Sequence, residues 1–276
     1  MSLSDKHRQE LQNAMKILEN PGIAARITNI IGMPIEKGLS LLPEKWNDKV
    51  GEVTKSALIR SAEVAVFTLG KNKTTSPSNL GHKIGVAASG AIGGFIGLPS
   101  LVIELPLTTT IMLRSIADIA RSEGHDINDA ATKLDCIEVF ALGGNSKLDN
   151  STESGYFAVR IALARSIAEA AEFLATKSIT EEAAPVLVKL IVKIAERFSI
   201  QVTEKAAAQA LPAIGAAGGA IVNTIFMDHF QDMAKGHFVV RRLEKIYGKE
   251  LIQQEYNKLL NGISDEDITA KTPQGN

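Results

Sequence analysis

The chain has 276 residues, long enough to bury a full core. Its 30 Lys and Arg stand against 31 Asp and Glu, a balance that argues against nucleic acid as a principal partner. A single cysteine, Cys136, excludes an intrachain disulfide and fits a reducing compartment. Its setting, KLDCIEVFAL, reads as a core helix and makes it an inert buried thiol. The polar N-terminus, MSLSDKHRQELQ, lacks the features of a secretory signal, so cytosolic synthesis without export is expected.

Apolar spacing is helical almost throughout and no convincing strand pattern appears, which predicts an all-α multi-helix bundle. Leu11, Met15 and Leu18 share one face of a first helix that stops at Asn20-Pro21-Gly22. A second helical stretch runs from Ile23 to Leu42, with a break expected at Pro34. Pro43 to Trp46 is a turn into a helix through Val53, Leu58, Val64 and Val66, with Trp46 half-buried in the core. Lys71 to Asn79 is a polar loop. Gly124-His125-Asp126 ends a Thr-rich helix, and Gly143-Gly144 ends the helix from Asp129 in a left-handed cap. After a linker from Asn145 to Gly155, Tyr156–Lys177 and Thr180–Gln201 are predicted to form an antiparallel hairpin turning near Ser178. The last residues, 262–276, carry few apolar side chains and are expected to be a disordered tail.

Two Gly-rich segments organise the rest. Gly90, Gly93, Gly94 and Gly97 thin one side of the first, and Gly215, Gly218 and Gly219 do so in the second. Glycine costs a helix about 1 kcal/mol relative to alanine, so close backbone packing of the two segments is the expected offset. Ile84–Ile103 is 20 uncharged residues, long enough to cross a bilayer. Its wealth of Gly, Ala and Ser, with Pro99 near its end, favours a buried close-packed helix or reversible membrane association over stable spanning.

Glu104 closes that apolar run, and a helix opened by Pro106 and the threonines 108 to 110 is expected after it. A carboxylate there needs a partner or water. Thr108, Thr109 and Thr110 with Arg114 can hold an anionic head group at a helix N-terminus, with Arg241 as a further cation. The plainer reading of Arg114 is an exposed residue paired with Asp118. Near the C-terminus Asp228, His229, Asp232 and His237 raise a metal question, which the helical wheel answers unfavourably. His229 and His237 are eight residues apart, about 80° around and 12 Å along the axis, unlike a zinc-binding i, i+4 pair. No metal and no cofactor are therefore expected. His237, Arg241 and Glu244 continue the face of Phe226, Phe230 and Met233, which predicts a buried polar lock with Glu104 as a fourth member. No Walker A, Gly-x-Ser-x-Gly or Rossmann fingerprint is present.

The run from Gly97-Leu98-Pro99 through Glu104-Leu105-Pro106-Leu107-Thr108-Thr109-Thr110 and Met112-Leu113-Arg114-Ser115-Ile116 resembles a signature of the bacterial EcsC protein family. So does the C-terminal run Gly218-Gly219, Asn223, Phe226-Met227-Asp228-His229-Phe230, Gly236-His237-Phe238, Arg241-Arg242-Leu243-Glu244 and Tyr247-Gly248. Glu138-Val139-Phe140-Ala141-Leu142-Gly143-Gly144 also fits. The resemblance covers residues 20–250 as one domain and leaves the first helix, 1–20, outside it. It implies a largely helical bacterial protein working at or near the membrane, and it assigns no reaction.

The expected function is therefore a non-enzymatic protein associated with the cytoplasmic face of the inner membrane. It would serve a membrane transport or secretion complex, or bind a lipid-like ligand. The alternative is a hydrolase-like or metal-dependent enzyme with Glu104, Arg114, Asp228, His229 and His237 as catalytic candidates around one cleft.

Overall fold

The local periods select helix, and the glycines and prolines cut it into lengths. The computed structural model describes residues 2–20, 22–68, 101–144, 155–176, 184–211 and 215–270. Among the described residues every regular element is helical and none is a strand. In chain order they are α1 (Asp5–Leu18), α2 (Ile23–Ile31), α3 (Ile35–Leu39), α4 (Trp46–Thr68) and α5 (Leu101–Ser122). Then come α6 (Ala130–Glu138) with a 3-10 turn at Val139–Ala141, α7 (Gly155–Thr176), α8 (Ala184–Ala210), α9 (Gly215–Tyr247) and α10 (Lys249–Ala270).

The boundaries have local causes. Ser4 caps α1, its hydroxyl accepting from the His7 amide at 3.3 Å. Gly32 ends α2 at φ 71° and Pro34 precedes α3, the expected break. Gly143 takes φ 71° after the 3-10 turn, where a side chain would be strained and would also lie 2.6 Å from the His229 ring.

Three boundaries differ from expectation. Helix α5 is already formed at Leu101 and carries Pro106 inside it, so Glu104 stands within the helix rather than ahead of it. Proline removes one donor and the helix continues, because Leu105 is fully buried and Glu104 is anchored on both neighbouring long helices. Helix α8 runs nine residues further than expected, to Ala210. Helix α10 continues to Ala270, so the tail expected from residue 262 is helical over its first part. The expected loop at 71–79, the packing glycines 90, 93, 94 and 97, most of the uncharged segment 84–103 and the turn near 178 lie outside the described residues.

Helices α8 and α9 are central. Helix α8 packs on α2, α3, α4 and α7, and α9 packs on α1, α2, α5, α8 and α10. Their shared core is aromatic: Phe140 lies 4.9 Å from Phe198 and 5.2 Å from Phe230, ring centre to ring centre, and Phe226 lies 5.1 Å from Phe230. Gly218 and Gly219 are buried in α9. At Gly236 a Cβ would lie 2.7 Å from Leu18 Cγ, so the missing side chain is what lets α1 cross α9. Trp46 is buried, more deeply than expected. Among the described residues no helix is long and apolar enough to cross a membrane.

Candidate functional site

Helix α6 presents two carboxylates three residues apart, Asp135 and Glu138, and a separation of three puts them on one face. Both are buried. Helix α7 brings Tyr156 and Arg160 to the same place, and α9 adds His237, Arg241 and Glu244 at i, i+4 and i+7. The expected cluster on α9 thus exists, with different partners.

Arg241 holds Asp135 with two prongs, Nε to Oδ2 at 2.9 Å and Nη2 to Oδ1 at 3.0 Å, and reaches Glu244 at 3.3 Å. Arg160 holds Glu244 in the same two-pronged way, at 2.6 and 2.9 Å. The Arg160 guanidinium also lies over the Tyr156 and Phe157 rings, at 5.4 and 5.5 Å. His237 Nδ1 meets the Tyr156 hydroxyl at 3.1 Å, and its Nε2 faces Glu138 Oε2 at 3.8 Å. Behind them His125 Nε2 donates to the Phe238 carbonyl at 3.0 Å, which leaves its Nδ1 to accept from Lys245 at 3.2 Å.

Two arginines are matched by Asp135 and Glu244, and Glu138 is the carboxylate left over. Burial first, and then the nearby Asp135, push its pKa up to about 8. Burial, reinforced by Arg160 and Arg241, holds His237 well below the usual imidazole range, so the ring is neutral. Burial raises Asp135 while the Arg241 fork opposes it.

Asp135, Glu138, Arg160, Arg241 and Glu244 form the floor of a half-open cleft of about 310 Å³, which the buried Tyr156 and His237 do not line. One wall is the apolar face of α7, with Phe157, Ile161 and Ala164, and the far lip is Lys249 and Gln253 of α10. Perturbed ionisable groups lining a concavity are the usual mark of a working site.

The remaining candidates go elsewhere. Glu104 does not join the lock: its Oε1 accepts from Lys205 Nζ at 2.6 Å and from Asn223 Nδ2 at 2.8 Å. Lys205 is wholly buried and its ammonium lies 5.1 Å from the Phe226 ring centre. Thr108 and Thr109 are buried, and the Thr108 hydroxyl donates to the Glu104 carbonyl at 3.1 Å. Thr110 donates to the Pro106 carbonyl at 2.8 Å and meets Ser61 at 3.0 Å. Arg114 is exposed, and Asp118 bonds Arg121 at 3.0 Å instead of the expected Arg114. His229 sits against Gly143 with its pKa pressed down to about 3 by burial and then Arg26. Asp232 pairs with Arg26 at 3.0 Å. Of Glu104, Arg114, His229 and His237, only His237 joins the buried cluster, through Tyr156 and Glu138, and none of them lines the cleft.

Sequence reasoning passed over Asp135, Glu138, Tyr156, Arg160 and Lys205. A signal for the first pair was present: a helix apolar enough to bury Cys136 carries two acids beside it. For Lys205, alone in an Ala-rich run, there was none.

The sequence profile of the EcsC protein family matches residues 5–243. The chain belongs to the EcsC protein family. The EcsC match takes in α1 and, of the buried cluster, Asp135, Glu138, Tyr156, Arg160, His237 and Arg241, and it stops just before Glu244. No curated protein and no solved structure matches the chain.

Proposed function

We propose that this EcsC-family chain is a non-enzymatic helical protein that works at the cytoplasmic face of the inner membrane. There it is accessory to a transport or secretion complex and holds a lipid-like molecule. The observation that supports ligand binding is the two-sided cleft, charged on its floor and apolar along Phe157, Ile161 and Ala164. An amphipathic molecule fits such a surface, its polar end at Glu138, Arg160 and Arg241 and its apolar part along α7. The membrane part rests on the uncharged segment 84–103 of the sequence.

Two measurements test this. Organic extraction and mass spectrometry of the full chain purified from cells should recover an amphiphile, and Ile161→Glu should lower its amount several-fold. Recovery of none ends the lipid reading. On cell fractionation the protein should pellet in part with membranes and be released by salt or carbonate without detergent. Complete solubility at low salt ends the membrane reading.

A metal-dependent enzyme is the second reading. It is favoured by one observation, the approach of Asp135, Glu138 and His237 to one another.

A further inference from the structure

We propose that Asp135, Glu138 and His237 form a binding site for a first-row divalent transition-metal ion, zinc foremost. One ligand atom from each of the three lies within 4.8 Å of the others, and this is the one such group among the described residues. Ligand atoms that share an ion at about 2.0–2.2 Å sit about 3–4 Å apart, so closure onto an ion needs only a small contraction.

The decisive atom is His237 Nε2. It is fully buried and has no hydrogen-bond partner among the described residues. Its neighbour is Glu138 Oε2 at 3.8 Å, too far for a hydrogen bond and right for two donors flanking an ion. A ring nitrogen orphaned at such depth is desolvated without compensation, a loss that an ion would recover. The other ring nitrogen is held by the Tyr156 hydroxyl at 3.1 Å, and in the tautomer whose Nδ1–H donates to that hydroxyl the Nε2 lone pair is free toward the carboxylates. That is how metal-binding histidines are oriented.

The charges agree. Arg160 and Arg241 are occupied by Glu244 and Asp135, so Glu138 is the carboxylate free to neutralise a cation. Asp135 spends one lone pair per oxygen on Arg241 and keeps the others. Asp135 and Glu138 line the cleft, which gives an ion access from solvent. One imidazole with two carboxylates selects zinc or manganese over calcium, which needs six to eight oxygens.

The test uses the ion alone, so it is independent of any lipid. The EDTA-stripped full chain is titrated with Zn²⁺ by calorimetry, with metal content by mass spectrometry. One ion per chain is expected for the native protein and for His7→Gln, a control at a half-buried histidine that bonds Tyr247 instead of this group. Glu138→Gln should lose at least 100-fold in affinity, and Tyr156→Phe roughly 10–100-fold through the freed imidazole. Gln reproduces the neutral carboxyl, so Glu138→Gln is expected to fold. With Co²⁺ in place of Zn²⁺, the native chain should show a visible d–d band that Glu138→Gln lacks. No binding by the native chain, or equal binding by Glu138→Gln, overturns the site.

Discussion

Helix α9 borders buried charge at two places about 21 Å apart, at Asn223 and at His237, and the two are built differently. At the first, Glu104 and Lys205 meet at 2.6 Å, both buried, one cation for one anion. At the second, three carboxylates and two arginines leave Glu138 in surplus, and the group faces a cleft. A closed pair with matched charge ties helices together and offers nothing to a ligand. A surplus carboxyl beside open space is kept protonated by burial, and a bound cation can take the place of that proton. The same helix thus carries a fastener near one end and a receptive group near the other.

If that contrast holds, the largest loss comes from the closed pair. Lys205→Met strands the Glu104 carboxylate and should cost roughly 3–5 kcal/mol in urea unfolding, most of it recovered in Lys205→Met with Glu104→Gln. A neutral Lys205→Met would dissolve the distinction. Arg241→Ala in the cleft leaves Asp135 without its fork, but Arg241 is about a fifth exposed, so water offsets part of the loss. About 2–3 kcal/mol is expected.

Glu138 should show the opposite sign. Its folded pKa of about 8 stands above the 4.5 of the unfolded chain, so folding favours its protonated form. That contribution is complete below pH 4.5 and is lost as pH rises through about 8. In metal-free buffer Glu138→Gln should therefore exceed the native chain in stability by roughly 1–3 kcal/mol at pH 8, and not at pH 4. A gain that does not depend on pH would show that Glu138 is already ionised in the fold. Arg114→Ala, on exposed surface, should stay within about 0.5 kcal/mol in thermal unfolding.

What could be read in the sequence was what neighbours in the chain decide. Leu11, Met15 and Leu18 define the buried face of α1 by spacing alone, and Pro34, Gly124 and Gly143 mark ends that backbone geometry imposes. The burial of His237 and Glu244 followed from the apolar stripe they continue. Their partners did not follow, since Asp135 and Arg160 lie 106 and 84 residues from Arg241 and Glu244. Glu104 needed a partner, and nothing local distinguishes Lys205, 101 residues away, from Arg114 or Arg241. Pro106 misled because a helix-breaking rule of local origin was overridden by the anchoring of Glu104 on two other helices.

One feature of α9 bears on how the chain is made. Every charged or hydrogen-bonding partner that its polar face needs, Glu104, Asp135, Tyr156, Arg160 and Lys205, precedes it in the sequence. A nascent chain therefore holds Asp135 and Arg160 in solvent, ionised and without the partners they have in the fold, until the segment from Asn223 to Glu244 has left the ribosome. Desolvating them earlier would be penalised, so the bundle is kept open through most of translation. Its closure is timed by the arrival of a single late helix.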